Sequence, residues 1–216
     1  MSRRLVSVVL ALLAAGASAG VVVAAPSSPT PWTKIPVITI VSAQGDPRIA
    51  SVREAVDFWN RTFTDLGTPF RLGQVTLVTG SVPDRDVQAV GDQVLRGTLS
   101  ALPASMVRIP GDLVVILSDA SFISYTAASR GRVVIAIKNG SVPPLTLPNV
   151  LRNVIAHELG HSVGLEHNED ATLLMCGRPA PCRPDAFRSE TARFFPLSAA
   201  ERARLLAMYS REWPAR

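Results

Sequence analysis

His157, Glu158, His161, Gly164 and His167 stand at the spacing HExxHxxGxxH, and the three histidines among them are the only ones in the chain. In a helix over residues 149–163, His157 and His161 lie one turn apart on a single face, so their imidazoles can converge on one cation. Glycine tolerates the left-handed conformation that ends a helix, so Gly164 lets the chain turn sharply and bring His167 to the same point. Three neutral nitrogens suit Zn²⁺ at about 2.0–2.1 Å and leave a fourth tetrahedral position for water, which is the arrangement of a catalytic zinc rather than a structural one. Glu158 projects about 100° around the helix from His157, close enough to reach that water without ligating the ion. Zinc brings the pKa of its water to about 7, so the carboxylate can take a proton as the water attacks a carbonyl and return it to a leaving amine.

The elements around the motif must hold it in place. Leu151, Ile155 and Leu159 recur every four residues, and Asn153, His157 and His161 form a second row about 200° around the helix axis, so one face goes to the core and the other to a cleft. Upstream, residues 35–42 read as a first strand. Asp46 at an N-cap and Pro47 at the first helical position open a helix that continues to Gly67. Its Ile49, Val52, Val56, Trp59, Phe63 and Leu66 keep a three-four spacing that marks a core face. Residues 75–79, 113–118 and 133–137 read as further strands, and the polar stretch between the first two carries no clear pattern. Ser198 with Glu201 three residues on is a capping box that starts a last helix.

The extended motif resembles that of the metzincin zinc metalloproteases. Residues 171–175, Ala-Thr-Leu-Leu-Met, are similar to the methionine turn of that group, and Met175 lies eight residues after His167, a spacing similar to the matrixin (matrix metalloprotease) branch. The strong part of the resemblance covers residues 149–175. It implies an α+β fold: a twisted mixed β-sheet with two long helices, the second carrying the zinc motif, and a small C-terminal subdomain ending in a helix. On this reading residues 35–216 are the catalytic domain, divided into subdomains 35–164 and 165–216. His157, His161 and His167 are the zinc ligands, Glu158 is the catalytic base, and Gly164 and Met175 support the site. Peptide substrates would add as a strand to the edge of the sheet, formed by either residues 121–126 or residues 133–137. Phe187, Phe194 and Phe195 either line a side-chain pocket or pin an otherwise polar loop. The chain also departs from the matrixin pattern. No histidine remains for a second zinc, Cys176 stands where a tyrosine is common in related families, and neither cysteine precedes the motif to act as a latency switch. Calcium is compatible with the resemblance, and nothing in the sequence shows it.

Composition places the chain among globular proteins: 47% of its 216 residues are hydrophobic and 18% charged, enough for a substantial core. The net charge of +5 is carried almost wholly by arginine, and no nucleic-acid recognition motif accompanies it, so no nucleic-acid partner is expected. Arg3 and Arg4 precede an uncharged apolar run over residues 5–25 that contains Ala17-Ser18-Ala19, and this resembles a secretory signal peptide. The same run is long enough to anchor the chain in a membrane, and both alternatives put the domain outside the cytoplasm. Residues 26–34 then form a linker. Cys176 and Cys182 suit an oxidising compartment and could bridge. The functional expectation is an exported zinc endopeptidase acting on protein or peptide, with a non-catalytic zinc-bearing surface module and a cell-wall peptide amidase as alternatives. Oligomeric state is not legible.

Overall fold

A computed structural model describes residues 30–177, 182 and 191–214. Residues 1–25, read above as a signal peptide or membrane anchor, residues 26–29 of the expected linker, and Phe187 lie outside the described residues. The chain builds a five-stranded sheet in the order β2-β1-β3-β5-β4. Strands β1 (Ile38–Ser42), β2 (Val75–Thr79), β3 (Leu113–Leu117) and β5 (Arg132–Ile137) run parallel to one another, and β4 (Tyr125–Ser129) pairs antiparallel with β5. The three central strands read ITIVS, LVVIL and RVVIAI, near-continuous apolar runs of the kind a sheet needs when both its faces are covered.

Alternate residues of those strands feed two cores. Ile38, Ile40, Leu113, Val115, Val133 and Ile135 meet the helices α1 (Arg48–Asp65) and α4 (Pro148–Ser162) on one face. Val41, Val114, Ile116, Val134 and Ala136 meet α2 (Asp84–Leu95) and the short α3 (Ala104–Val107) on the other. The architecture is thus the expected α+β one, a mixed sheet with two long helices. The second face is covered by α2, in the stretch where the sequence shows no clear pattern. Gly91 stands inside α2 for a tertiary reason: a Cβ there would stand 3.0 Å from the ring of Tyr125, whose hydroxyl donates to the Val87 carbonyl at 2.8 Å.

Local boundaries shift slightly. The first strand begins at Ile38, and Ile35 and Val37 ahead of it are exposed. Helix α1 starts one residue after Pro47, yet Asp46 still satisfies its first turn by accepting from the Arg48 N–H at 2.8 Å. At its other end Gly67 adopts φ +74° while Thr68 N–H reaches back to the Phe63 carbonyl, closing the helix with a left-handed turn. Of the two candidate edges, residues 121–126 enter the sheet only at Tyr125 and Thr126, the start of the edge strand β4, and residues 133–137 belong to β5, which lies inside the sheet between β3 and β4. Trp32, in the segment read as linker, is buried: its indole donates to the Ser162 carbonyl at 2.8 Å, so the packed chain begins ahead of Ile35.

Beyond α4 the chain turns at Gly164 and ends in α5 (Ala199–Met208). The capping box is present: Ser198 Oγ accepts from Glu201 N–H at 3.1 Å and Glu201 Oε2 accepts from Ser198 N–H at 2.7 Å. Tyr209 then stacks on Phe70 inside the main core, with ring centroids 4.0 Å apart. Among the described residues, no helix is long and apolar enough to cross a membrane.

Candidate metal centre

Helix α4 positions the first two histidines, and its ends are set by Pro148 at the first helical turn and Gly164 past the last. Gly164 takes φ +92°, its N–H bonds the His161 carbonyl at 2.9 Å, and Leu165 N–H bonds the Gly160 carbonyl at 3.0 Å. This turn sends the chain back so that His167 faces the helix. His161 Nε2 lies 3.1 Å from His157 Nε2 and 3.0 Å from His167 Nε2. The ligand atoms of the three side chains all lie within 4.8 Å of one another.

Tautomers follow from the partners on the far side of each ring. His157 Nδ1 sits 2.8 Å from the Leu174 carbonyl and His161 Nδ1 sits 2.8 Å from the Leu165 carbonyl. A carbonyl can only accept, so Nδ1 carries the proton in both rings. Burial pushes the His157 imidazole down to about 4 and that of His161 down to about 3, so both are neutral near pH 7. Their Nε2 atoms therefore turn bare lone pairs on each other at hydrogen-bonding distance with no proton between them. Such a contact is repulsive unless a cation lies among the nitrogens, and three imidazoles suit Zn²⁺. The donor set fits the ion.

Met175 packs against α4 at Gly160, between His157 and His161 in the chain. It is fully buried, and a Cβ on Gly160 would run into its Sδ and come within 3.0 Å of Trp59 Cζ2. The backbone around it positions two ligands at once: Leu174 supplies the carbonyl for His157, and the Met175 carbonyl accepts from Asn168 N–H at 2.9 Å, next to His167. Gly177 N–H bonds the Asn168 carbonyl at 3.1 Å and leaves no room for a side chain beneath the His167 ring. Cys176 and Cys182 are bridged, with Cα atoms 5.8 Å apart, immediately beside this turn. Replacing Gly160 by alanine is expected to cost about 1–3 kcal/mol by overpacking. It should also weaken metal affinity, because the displaced Met175 adjoins Leu174, whose carbonyl bonds His157 Nδ1. Urea unfolding and metal titration measure the two effects.

Glu158 is buried between α4 and β4. Thr126 Oγ1, on the edge strand, donates to its Oε2 at 2.7 Å, with the Glu158 backbone carbonyl 2.9 Å away as a second acceptor for the same proton. Burial pushes the Glu158 carboxyl up to about 7, partly offset by the Thr126 hydroxyl. Sequence reading does not single out Thr126, since a threonine on a strand carries no signal of its own.

The polar row on α4 has a second use. Asn153 Nδ2 donates to the Arg193 carbonyl at 3.0 Å, its Oδ1 accepts from Phe195 N–H at 2.7 Å, and Asn149 Nδ2 donates to the Thr191 carbonyl at 2.8 Å. These amides dock the C-terminal segment onto the helix one and two turns before His157. Phe194 stacks on Phe58 at 4.4 Å and Phe195 is buried, so both pin this segment to the core. Neither tyrosine hydroxyl is directed at the histidines: Tyr125 donates to the Val87 carbonyl on α2 and Tyr209 accepts from Trp32 N–H.

No protein-family model matches the chain, and no curated protein matches it. Among solved structures it is similar to metalloproteinase-II from Bacteroides fragilis, with 17% identity and a TM-score of 0.49 over 84% of this chain and 55% of that one. It is also similar to archaemetzincin from Methanopyrus kandleri, with 17% identity and a TM-score of 0.39 over 79% of this chain and 93% of that one. The chain thus spans about half the length of the Bacteroides structure.

Proposed function

We propose that this chain is an exported zinc-dependent endopeptidase of the metzincin kind, with His157, His161 and His167 as metal ligands and Glu158 as general base. The observation that carries the reading is the set of three Nε2 atoms facing one another, two of them with Nδ1 fixed as donor to a backbone carbonyl. When bound, Zn²⁺ supplies a Lewis acid that polarises a carbonyl and acidifies water. Glu158 takes the proton of the attacking water and delivers it to the leaving amine. Its burial against β4 keeps it out of bulk solvent and beside the sheet edge where an extended peptide can add as a strand. The ordered turn at Met175 supports the ligands from below, and its distance from His167 favours a matrixin-like branch. The Cys176–Cys182 bridge and the basic-then-apolar N-terminus support export.

Metal removal tests the reading. The protein is stripped with a chelator, reloaded with Zn²⁺, and incubated with peptides blocked at both ends. Internal cleavage is expected from the reloaded protein and none from the stripped one. Cleavage indifferent to the chelator overturns the assignment. Bound metal without any cleavage favours the surface binding module, and hydrolysis confined to cell-wall peptides favours the amidase.

A further inference from the structure

Among the described residues, Thr126 is the hydrogen-bond partner of the Glu158 carboxylate, and the two are joined from different elements 32 positions apart. Strand alternation explains the meeting. Tyr125 and Ala127 point into the core shared with α2, so Thr126 points to the opposite face, where α4 lies. Its hydroxyl touches Glu158 at two places, the main-chain carbonyl at 2.9 Å and Oε2 at 2.7 Å. The hydroxyl has one proton for these two acceptors, and the shorter contact, to the carboxylate, holds one of its oxygens. Glutamate has three rotatable side-chain bonds, so one anchored oxygen fixes the direction of the other. Neither main-chain donors nor another side chain substitutes for this anchor among the described residues.

Resting on the peptidase reading above, we propose that Thr126 is a positioning residue that fixes the orientation of the Glu158 carboxylate from the sheet edge, the edge along which a peptide substrate would lie. Substrate binding and base placement then share one strand, β4. Shifting that strand moves the base.

The test uses Thr126→Val, which removes the hydroxyl at similar volume, and Thr126→Ala, which cannot overfill the site; Thr126→Ser restores the hydroxyl. For the valine and alanine variants, metal content and KM should stay close to wild type while kcat falls by about 10- to 100-fold, and serine should recover most of the loss. Crystal structures of the metal-free proteins give a readout independent of turnover. The Glu158 carboxylate should keep its place in wild type and the serine variant and leave it in the valine and alanine variants. An unchanged kcat, a serine variant as impaired as valine, or an unmoved carboxylate overturns the proposal. If wild type hydrolyses no peptide at all, the peptidase reading fails, and the metal-free carboxylate positions still decide whether Thr126 anchors Glu158.

Discussion

Glu158→Gln is expected to leave zinc bound and to lower peptide hydrolysis by about 10²- to 10⁴-fold, the usual contribution of a positioned general base. Glutamine fills the same buried space, and its amide oxygen can still accept from Thr126 Oγ1, now 2.7 Å from Oε2. What it cannot do is take a proton. The ligands are untouched, so metal content measured by mass spectrometry should equal that of the wild type. The loss should fall on kcat with little change in KM, as when an interaction is made only in the transition state. Equal turnover by the two proteins would remove Glu158 from the mechanism.

Arg48→Ala is expected to destabilise the fold by about 3–5 kcal/mol, the cost of breaking a buried ion pair by deleting one partner. The Arg48 and Asp46 side chains are 6% and 5% exposed. The guanidinium donates to Asp46 through Nε at 3.0 Å and Nη2 at 2.7 Å, and through Nη1 to the carbonyls of Ser118 at 2.7 Å and Lys138 at 3.0 Å. Alanine therefore strands a buried carboxylate and two carbonyls just past the ends of β3 and β5. By contrast, Arg204→Ala removes a pair with Glu166 in which the side chains are 43% and 60% exposed, and should cost under about 1 kcal/mol. Urea unfolding midpoints of the two variants test the contrast; similar midpoints would show that the Arg48 cluster adds little net stability.

The parts legible in the sequence are those set by short-range spacing. His157 and His161 share a helix face because they are four residues apart, and Ser198 caps α5 because Glu201 is three residues on. The expected mixed sheet and two long helices follow from apolar runs and a three-four repeat. What sequence reading left out depends on partners far away in the chain. Helix α2 is obscured by Gly91, and the reason for that glycine is the Tyr125 ring on another strand. Trp32 looks like part of a linker until the Ser162 carbonyl and the Tyr209 hydroxyl are seen to receive it. Arg48 reads as an ordinary charged residue at a helix start, yet its partners include carbonyls 70 and 90 positions away. Thr126 is silent for the same reason.

The two imidazoles of α4 are steered by the peptide groups of Leu165 and Leu174 rather than by side chains. An acceptor that belongs to the main chain survives any amino-acid exchange at its own position. Drift at residues 165 and 174 can therefore alter what packs around the centre without deleting the groups that aim its rings. Only a displacement of the whole loop can do that, which places the evolutionary vulnerability of the centre in its loop geometry instead of in those two codons.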